Sequence, residues 1–321
     1  MLSRTAEHLF WMARYMERAE NLARLLDTTW QMSLVRQSRA HPVADWAGVI
    51  ALHSLEGPFG ARHADTGAER VLHFMTCDDT NPASIHGCLR QCRENAHAVR
   101  GTITTEMWET INTTWLTARR TSFEQIMQMG YVAYFEWVKE RSSLSRGVTL
   151  GTLLQDECYH FIRLGTLLER ADSTARILDA RYHGSAAGNG DDASDDAHWA
   201  AALVRAVSAV EAYRRVWRDA VTSERALELM LLRRDMPRSL RYCLAGVVRN
   251  LEAVSNAHSA DVLRTAGKLH AEVQFARVED ILAHGVHAWL EDKIDRLYAL
   301  GQLIGDQVLN PMLADAAPRT P

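Results

Sequence analysis

The strongest constraint on what this chain can fold into is a stretch that occurs twice. His8–Asp27 reads HLFWMARYMERAENLARLLD and His160–Asp179 reads HFIRLGTLLERADSTARILD, aligned without a gap at an offset of 152 residues. His8/His160, Glu17/Glu169, Arg18/Arg170, Ala19/Ala171, Ala23/Ala175, Arg24/Arg176, Leu26/Leu178 and Asp27/Asp179 are identical, and Glu20/Asp172, Asn21/Ser173 and Leu25/Ile177 are near-equivalents. Internal self-similarity fixes an architecture before any other signal does. One helix type is used twice here, and the rest of the chain is expected to pack around the pair.

At 100° per residue, Leu9, Met12, Met16, Ala19, Ala23, Leu26 and Trp30 form one apolar stripe with steps of three and four, the seam of a packed helix. Trp11, Tyr15, Leu22 and Leu25 widen the apolar surface so far that the helix reads as lying inside a bundle. Arg14, Glu17, Glu20, Asn21, Arg24 and Asp27 occupy the remaining stripe, where Glu20–Arg24 is the favourable i,i+4 ion pair. Arg18 falls on the wide apolar side, and its counterpart Arg170 lies among Leu167, Thr174 and Ile177. An arginine in such a place must reach solvent along its stem or meet a carboxylate, because an unpaired buried charge costs several kcal/mol. The expectation is that the two helices pack together and that Glu17/Arg18 and Glu169/Arg170 share a buried charge network. The competing reading is a set of surface ion pairs on long helices, worth little. A buried network can serve ligand binding or only fix register.

MLSRTAEHLFWMARYMERAENLARLLD resembles the opening of the bacterial alpha-E family, an all-helical domain named for its Glu-Arg motif. The resemblance extends through Asn95–Asn112, the second Glu-Arg helix and Met236–Leu244, and so covers almost the whole chain. It implies association with circularly permuted ATP-grasp proteins, encoded beside or fused to family members, with transglutaminase-like peptidases and a proteasome-like protein as further neighbours. It carries no catalytic residues over to this sequence.

A chain of 321 residues can bury a large core. Its 47% apolar and 24% charged residues suit a globular protein, and a net charge of −4 leaves no basic footprint for nucleic acid or an anionic membrane. Neither a signal peptide nor a membrane span is expected, which points to the cytoplasm. Five scattered cysteines, Cys77, Cys88, Cys92, Cys158 and Cys243, read as reduced thiols, with Cys88 and Cys92 one turn apart on a helix.

The expected fold is all-α: a bundle of about ten helices with the two Glu-Arg helices, 3–39 and 147–182, packed centrally. His41-Pro42 should end the first helix and Gly57-Pro58-Phe59-Gly60 should break a short one over 43–56. Helices are expected over 68–76, 83–115 (one or two, with Gly101 as a weak point) and 121–141. The acidic, small-residue segment 184–196 reads as a flexible loop, followed by helices at 197–220, 223–233, 238–255, 259–284 and 287–308. Residues 1–310 are taken as one domain and 311–321 as a tail.

No GxGxxG, GxxxxGK[ST], GxSxG or HExxH motif occurs. Gly147–Thr152, GVTLGT, reads as a capped helix start without the lysine of a phosphate loop. Glu94/His97 and Glu157/His160 have the i,i+3 spacing of carboxylate-bridged metal bundles, but two such pairs decide little in a chain with 14 histidines, and neither a metal nor another cofactor is expected. Trp108, Trp115 and Trp137 are read as core, and Arg100 with Glu106 and Glu109 as a solvated face. Arg238, after Pro237 in a first-turn position and at a helix N-terminus, could hold a carboxylate or phosphate together with free backbone N–H groups.

Glu17, Arg18, Glu20, Arg24, Glu169, Arg170, Asp172, Arg176 and Arg238 are therefore the candidate site. The leading expectation is an accessory or co-catalytic subunit of an ATP-dependent peptide or amide ligase system. It would work with an ATP-grasp partner and offer the charged pocket to a peptide or amino acid. A stand-alone hydrolase or amide-forming enzyme is the alternative, using the Glu/Arg cluster or a two-metal site that needs the two Glu-x-x-His pairs to converge, although arginines beside Glu17 and Glu169 push carboxyl pKa values away from general acid–base use. A pure scaffold is the third.

Overall fold

A computed structural model of the chain describes residues 3–34, 46–182 and 193–310. Those residues hold sixteen α-helices and no strand. In chain order they are α1 (Ser3–Leu34), α2 (Trp46–Leu52), α3 (Glu56–Gly60), α4 (Ala68–Thr76), α5 (Ile85–Ala98), α6 (Thr105–Arg120), α7 (Phe123–Met129) and α8 (Tyr131–Thr152). They continue as α9 (Glu157–Tyr182), α10 (Ala193–Ala206), α11 (Val210–Trp217), α12 (Ser223–Leu231), α13 (Leu240–Ala253), α14 (Ala260–Phe275), α15 (Val278–His284) and α16 (Val286–Ile304), with a π-helical turn over Gly305–Leu309.

The repeat is larger than one helix. Helices α4 to α8 begin at residues 68, 85, 105, 123 and 131, and α12 to α16 begin at 223, 240, 260, 278 and 286, each 155 later. Details recur with the helices. Ser84 caps α5 and Ser239 caps α13, each hydroxyl accepting from the backbone N–H three residues on. Gly130 and Gly285, with φ of 90° and 99°, sit at the start of α8 and α16 in a left-handed conformation that favours glycine. His8 donates to Asn95 Oδ1 and His160 to Asn250 Oδ1, both at 2.9 Å. The chain is a tandem duplication of an eight-helix unit.

The two units meet through α1 and α9. Helix α1 also packs on α5, α8 and α10, and α9 on α13, α16 and α2. The second element of each unit thus reaches across to the first helix of the other. Closest approach of α1 and α9 is at Gly165. A Cβ there would fall on the Phe10 carbonyl oxygen and lie 3.3 Å from the Ala13 Cβ. Ala13 is the counterpart of Gly165 at the 152-residue offset, so the two small residues face each other where the units touch. One apolar core runs through both units from Ala6 to Leu309.

Several boundaries differ from the sequence-based expectation. Helix α9 starts at Glu157: Leu153–Asp156 separate it from α8, so Gly147–Thr152 closes α8 rather than opening the second Glu-Arg helix. Asp156 Oδ1 accepts from the Cys158 N–H and supplies the start signal there. Gly57–Gly60 forms the short helix α3 instead of breaking one, with Pro58 in a first turn, where its missing N–H is tolerated. Residues 121–141 divide at Gly130, and 197–220 and 259–284 each divide in two. Pro237 precedes the Ser239 cap and lies outside α13. Helix α10 already begins at Ala193, inside the expected loop; 184–192, like His41-Pro42, 35–39 and the tail from 311, lies outside the described residues. Among the described residues no helix is long and apolar enough to cross a membrane.

Gly165→Ala tests the packing of the two units. Alanine is the better helix former by about 1 kcal/mol, but its methyl must displace a backbone carbonyl of α1, and overpacking of this kind costs about 1–3 kcal/mol. A net loss of up to about 2 kcal/mol in urea unfolding is expected; a stabilised variant would contradict the close approach.

Candidate functional site

The Glu-Arg doublets of α1 and α9 pair crosswise. Arg170 donates to both oxygens of Glu17, Nε to Oε1 and Nη2 to Oε2, each at 2.8 Å. Arg18 does the same to Glu169, Nε to Oε1 at 2.6 Å and Nη2 to Oε2 at 3.0 Å. Each helix gives its glutamate to the other's arginine. Reciprocal contacts of this kind are the mark of an approximate two-fold axis. The face of α1 that looks polar in sequence is not turned to solvent: Glu17 is 1% exposed and Glu20 is fully buried.

Around this crossed pair the two sides are filled differently. On the Glu17 side Arg238 reaches in from the turn before α13, donating to Asn21 Oδ1 at 2.9 Å, to Glu17 Oε1 at 3.4 Å and to Glu20. Arg146 of α8 donates to Glu20 as well, as does the Ser142 hydroxyl at 2.7 Å. Arg24 binds Glu20 Oε1 through Nε and Nη2 at 2.9 and 2.7 Å and passes Nη1 to Ser208 Oγ at 2.7 Å. Arg170 and Thr174 bond the Pro237 and Arg238 carbonyls at 3.3 and 3.0 Å, which ties the Arg238 turn to α9. Every carboxylate oxygen here has a cationic partner.

On the Glu169 side, Arg14 adds a second guanidinium, Nε to Oε2 at 2.7 Å. Arg176 Nε donates to Asp172 Oδ2 at 2.9 Å. Nothing corresponds to Arg238 or Arg146: the positions 155 residues away are Ala83 and Gly301. Two cavities, of about 260 and 380 Å³, open there and share Arg18, Asp172 and Arg176. Arg18 and Arg176 keep 31% and 36% of their side chains exposed.

The structure brings all nine sequence candidates into this one region. Arg238 does not present a free anion site at a helix N-terminus: its guanidinium is spent on Glu17, Glu20 and Asn21, and α13 is capped by Ser239. Four residues that complete the site were not singled out as ligands in the sequence. Arg14, Ser142 and Arg146 lie on the faces of α1 and α8 turned to the carboxylates, and His53 ends the turn after α2, lining the smaller cavity. Glu94 and His97 remain apart from Glu157 and His160. His97 stacks near Trp108 at 5.6 Å and His160 bonds Asn250. Among the described residues no three His, Cys, Asp or Glu side chains gather as a metal site would need.

Electrostatics follow from the pairing. Burial raises a carboxyl pKa, but Arg170 and Arg238 more than offset it at Glu17 and hold that group below its ordinary value. Glu20 is likewise held below its ordinary value, Arg238, Arg146 and Arg24 outweighing its burial. Glu169 drops to about 2 because Arg14 and Arg18 outweigh its burial. Arg18 and Arg170 are raised despite burial by their glutamates. Arg238 is lowered, burial and the neighbouring Arg170 and Arg24 outweighing its carboxylates, yet a guanidinium remains protonated in proteins. Burial pushes Cys88 and Cys243 up to about 12, so these thiols do not supply thiolates near neutrality. The network is an array of fixed charges without a group poised to exchange a proton at pH 7.

Residues 1–309 of the chain match a family model described as a predicted alpha-helical domain with a conserved ER motif. The chain belongs to the Alpha-E family. Neither the curated proteins nor the solved structures compared contain a match to it. In this Alpha-E protein one Glu-Arg doublet lies on the first helix of each unit, and both of its residues pair with the doublet of the other unit's first helix. That explains why the doublet is a doublet: at one turn of two antagonistic charges, each helix both gives and receives.

Acid should expose the network. Glu169 titrates at about 2 when folded against an ordinary 4.5, so folding favours its ionised form. Its contribution is complete above 4.5 and is lost as pH falls through about 2. Urea midpoints are expected to stay level between about pH 7 and about pH 5 and to fall below about 4.5. In Glu169→Gln the midpoint should start lower and fall less. Equal acid sensitivity of the two proteins would contradict the assignment.

Proposed function

We propose that this Alpha-E chain is an accessory or co-catalytic subunit of an ATP-dependent peptide or amide ligase system. It works with a circularly permuted ATP-grasp protein and offers the open side of the Glu-Arg network to a peptide or amino-acid substrate. The observation that carries the reading is the unequal filling of the two sides. One set of carboxylates is saturated by the protein's own arginines, whereas Arg18, Arg176 and Asp172 line cavities large enough for a small polar molecule. Charge complementarity of this kind binds and orients; it does not by itself move protons, since the glutamates are held ionised. Activation of a carboxylate for amide formation needs phosphoryl transfer, which the resemblance assigns to the ATP-grasp partner.

A scaffold reading has one observation in its favour. On the closed side Glu17, Ser142 and Arg146 line a cavity of only about 30 Å³, room for about one water, and the paired charges hold α1, α8, α9 and the turn before α13 together. The two readings divide the network between them, and the same experiment separates them. The chain is co-expressed with a circularly permuted ATP-grasp protein from the same genome, and ADP release is followed against amino acids and short peptides, with each protein alone and with both. Association and substrate-dependent turnover only in the combined sample are expected. Absence of association together with unchanged turnover by the ATP-grasp protein would overturn the subunit reading.

A further inference from the structure

The duplication supplies a template for the open side. At the 155-residue offset Ala83 takes the place of Arg238 and Gly301 that of Arg146. The turn residues Ser54 and Ser208, 154 apart, repeat a left-handed conformation with φ of 54° and 52°. Ser208 and Arg238 belong to the closed side; Ser54 and Ala83 line its counterpart, the 260 Å³ cavity bounded by α1, α9 and the turn after α2. The protein thus builds one site twice and supplies the Arg238 guanidinium to only one copy.

Six side chains define the chemistry of the open copy: Arg18, Asn21, His53, Asp172, Ser173 and Arg176. Asn21 is 7% exposed, and its amide nitrogen has no hydrogen-bond partner among the described residues, while its Oδ1 is engaged by Arg238 on the closed side. A buried amide left unsatisfied is costly, and it lines this cavity. Arg18 uses Nε and Nη2 on Glu169, and Arg176 uses Nε on Asp172; their remaining N–H groups meet no protein acceptor among the described residues. These are three convergent donors, two of them cationic. Opposite in character are Asp172, whose Oδ1 accepts from no protein donor among the described residues, and His53. His53 gives its Nδ1–H to the Val49 carbonyl at 3.0 Å, which leaves Nε2 as an acceptor. Burial, together with the Arg18 and Arg176 charges, lowers the His53 pKa and keeps the ring neutral.

We propose that this cavity binds a small zwitterion of the amino-acid or dipeptide class, its carboxylate held by Arg18, Arg176 and the Asn21 amide and its ammonium by Asp172 and His53. The ammonium stands where the closed copy places the Arg238 guanidinium. A ligand with only the anionic group would leave Asp172 with one oxygen unpartnered, and one with only the cationic group would leave two guanidinium edges and the Asn21 amide unsatisfied. This rests on the reading of the open Glu-Arg side as the substrate pocket. Because the test uses the chain alone, its failure is separable from failure of the ATP-grasp partnership.

The full chain is screened by thermal shift against the standard amino acids and their alanyl dipeptides, and binding is then measured by calorimetry. Each ligand is compared with its C-terminal amide and its N-acetyl form. At least one zwitterion should raise the melting temperature, and masking either end should weaken binding about tenfold or more. Ala83→Arg, which rebuilds the arginine of the closed copy, should abolish binding while the protein melts as a folded chain. Asp172→Asn, with its shape kept, should lose about tenfold for the zwitterion and nothing for the N-acetyl form. The proposal is overturned if no member of the panel shifts melting, if the amide and N-acetyl forms bind as tightly as the zwitterion, or if folded Ala83→Arg binds unchanged.

Discussion

Everything in this molecule depends on two ion pairs formed in opposite senses between the same two helices. Glu17–Arg170 and Arg18–Glu169 span the contact between the units, and three of these four residues are buried. Desolvating such groups is expensive, so they stay buried only because each carboxylate is matched by a guanidinium in bidentate geometry. A shift of α1 along α9 by one turn would bring Glu17 and Arg18 opposite Thr174 and Ser173, or Thr166 and Gly165, and leave the buried charges unmatched. Apolar contacts around Ala13 and Gly165 set how near the helices come, and the charges set the register in which they meet.

The duplication makes the two sides of that register unequal. A perfectly repeated unit would have both charge sites filled or both open. Substitution at two positions, Arg238 against Ala83 and Arg146 against Gly301, closes one site and leaves the other with surplus donors, a carboxylate oxygen without a donor and an unsatisfied buried amide. Arg14 completes the asymmetry: it stands where the second unit has Thr166 and gives Glu169 the extra cation that Arg146, from α8, supplies on the closed side. A rigid wall of matched charges is what a binding pocket needs behind it, because residues that must orient a ligand have to be held in place themselves.

Much of this was legible in the sequence, and what escaped did so for physical reasons. The repeated helix stood out because buried positions facing a two-fold axis tolerate few alternatives, and Arg18 on an apolar face demanded a buried carboxylate. The rest of the duplication was harder to see. Between the repeated stretch and the fourth helix the second unit is three residues longer than the first, so the offset changes from 152 to 155, and surface positions have drifted. A weak signal was present: Pro82-x-Ser84 with Cys88, Leu89 and Asn95 recurs as Pro237-x-Ser239 with Cys243, Leu244 and Asn250. The break at Leu153–Asp156 was missed because GVTLGT looks like a helix start, whereas the signal that starts α9 is Asp156. Merging the end of α8 into α9 also hid Arg146, since nothing local says which way an arginine in the last two turns of a helix will reach. Arg238 was found for its position, but its role depended on a partner 218 residues away in sequence.

The most direct test of the central interaction is a double-mutant cycle on Glu17 and Arg170, read by urea unfolding of Glu17→Gln, Arg170→Met and the double variant. Each single change leaves an uncompensated buried charge and is expected to cost about 3–5 kcal/mol. The pair should show a coupling of about 2 kcal/mol or more, the double variant being far less damaged than the sum of the two. A coupling below about 0.5 kcal/mol, the size found for exposed ion pairs, would mean that the crossed doublets do not hold the units together.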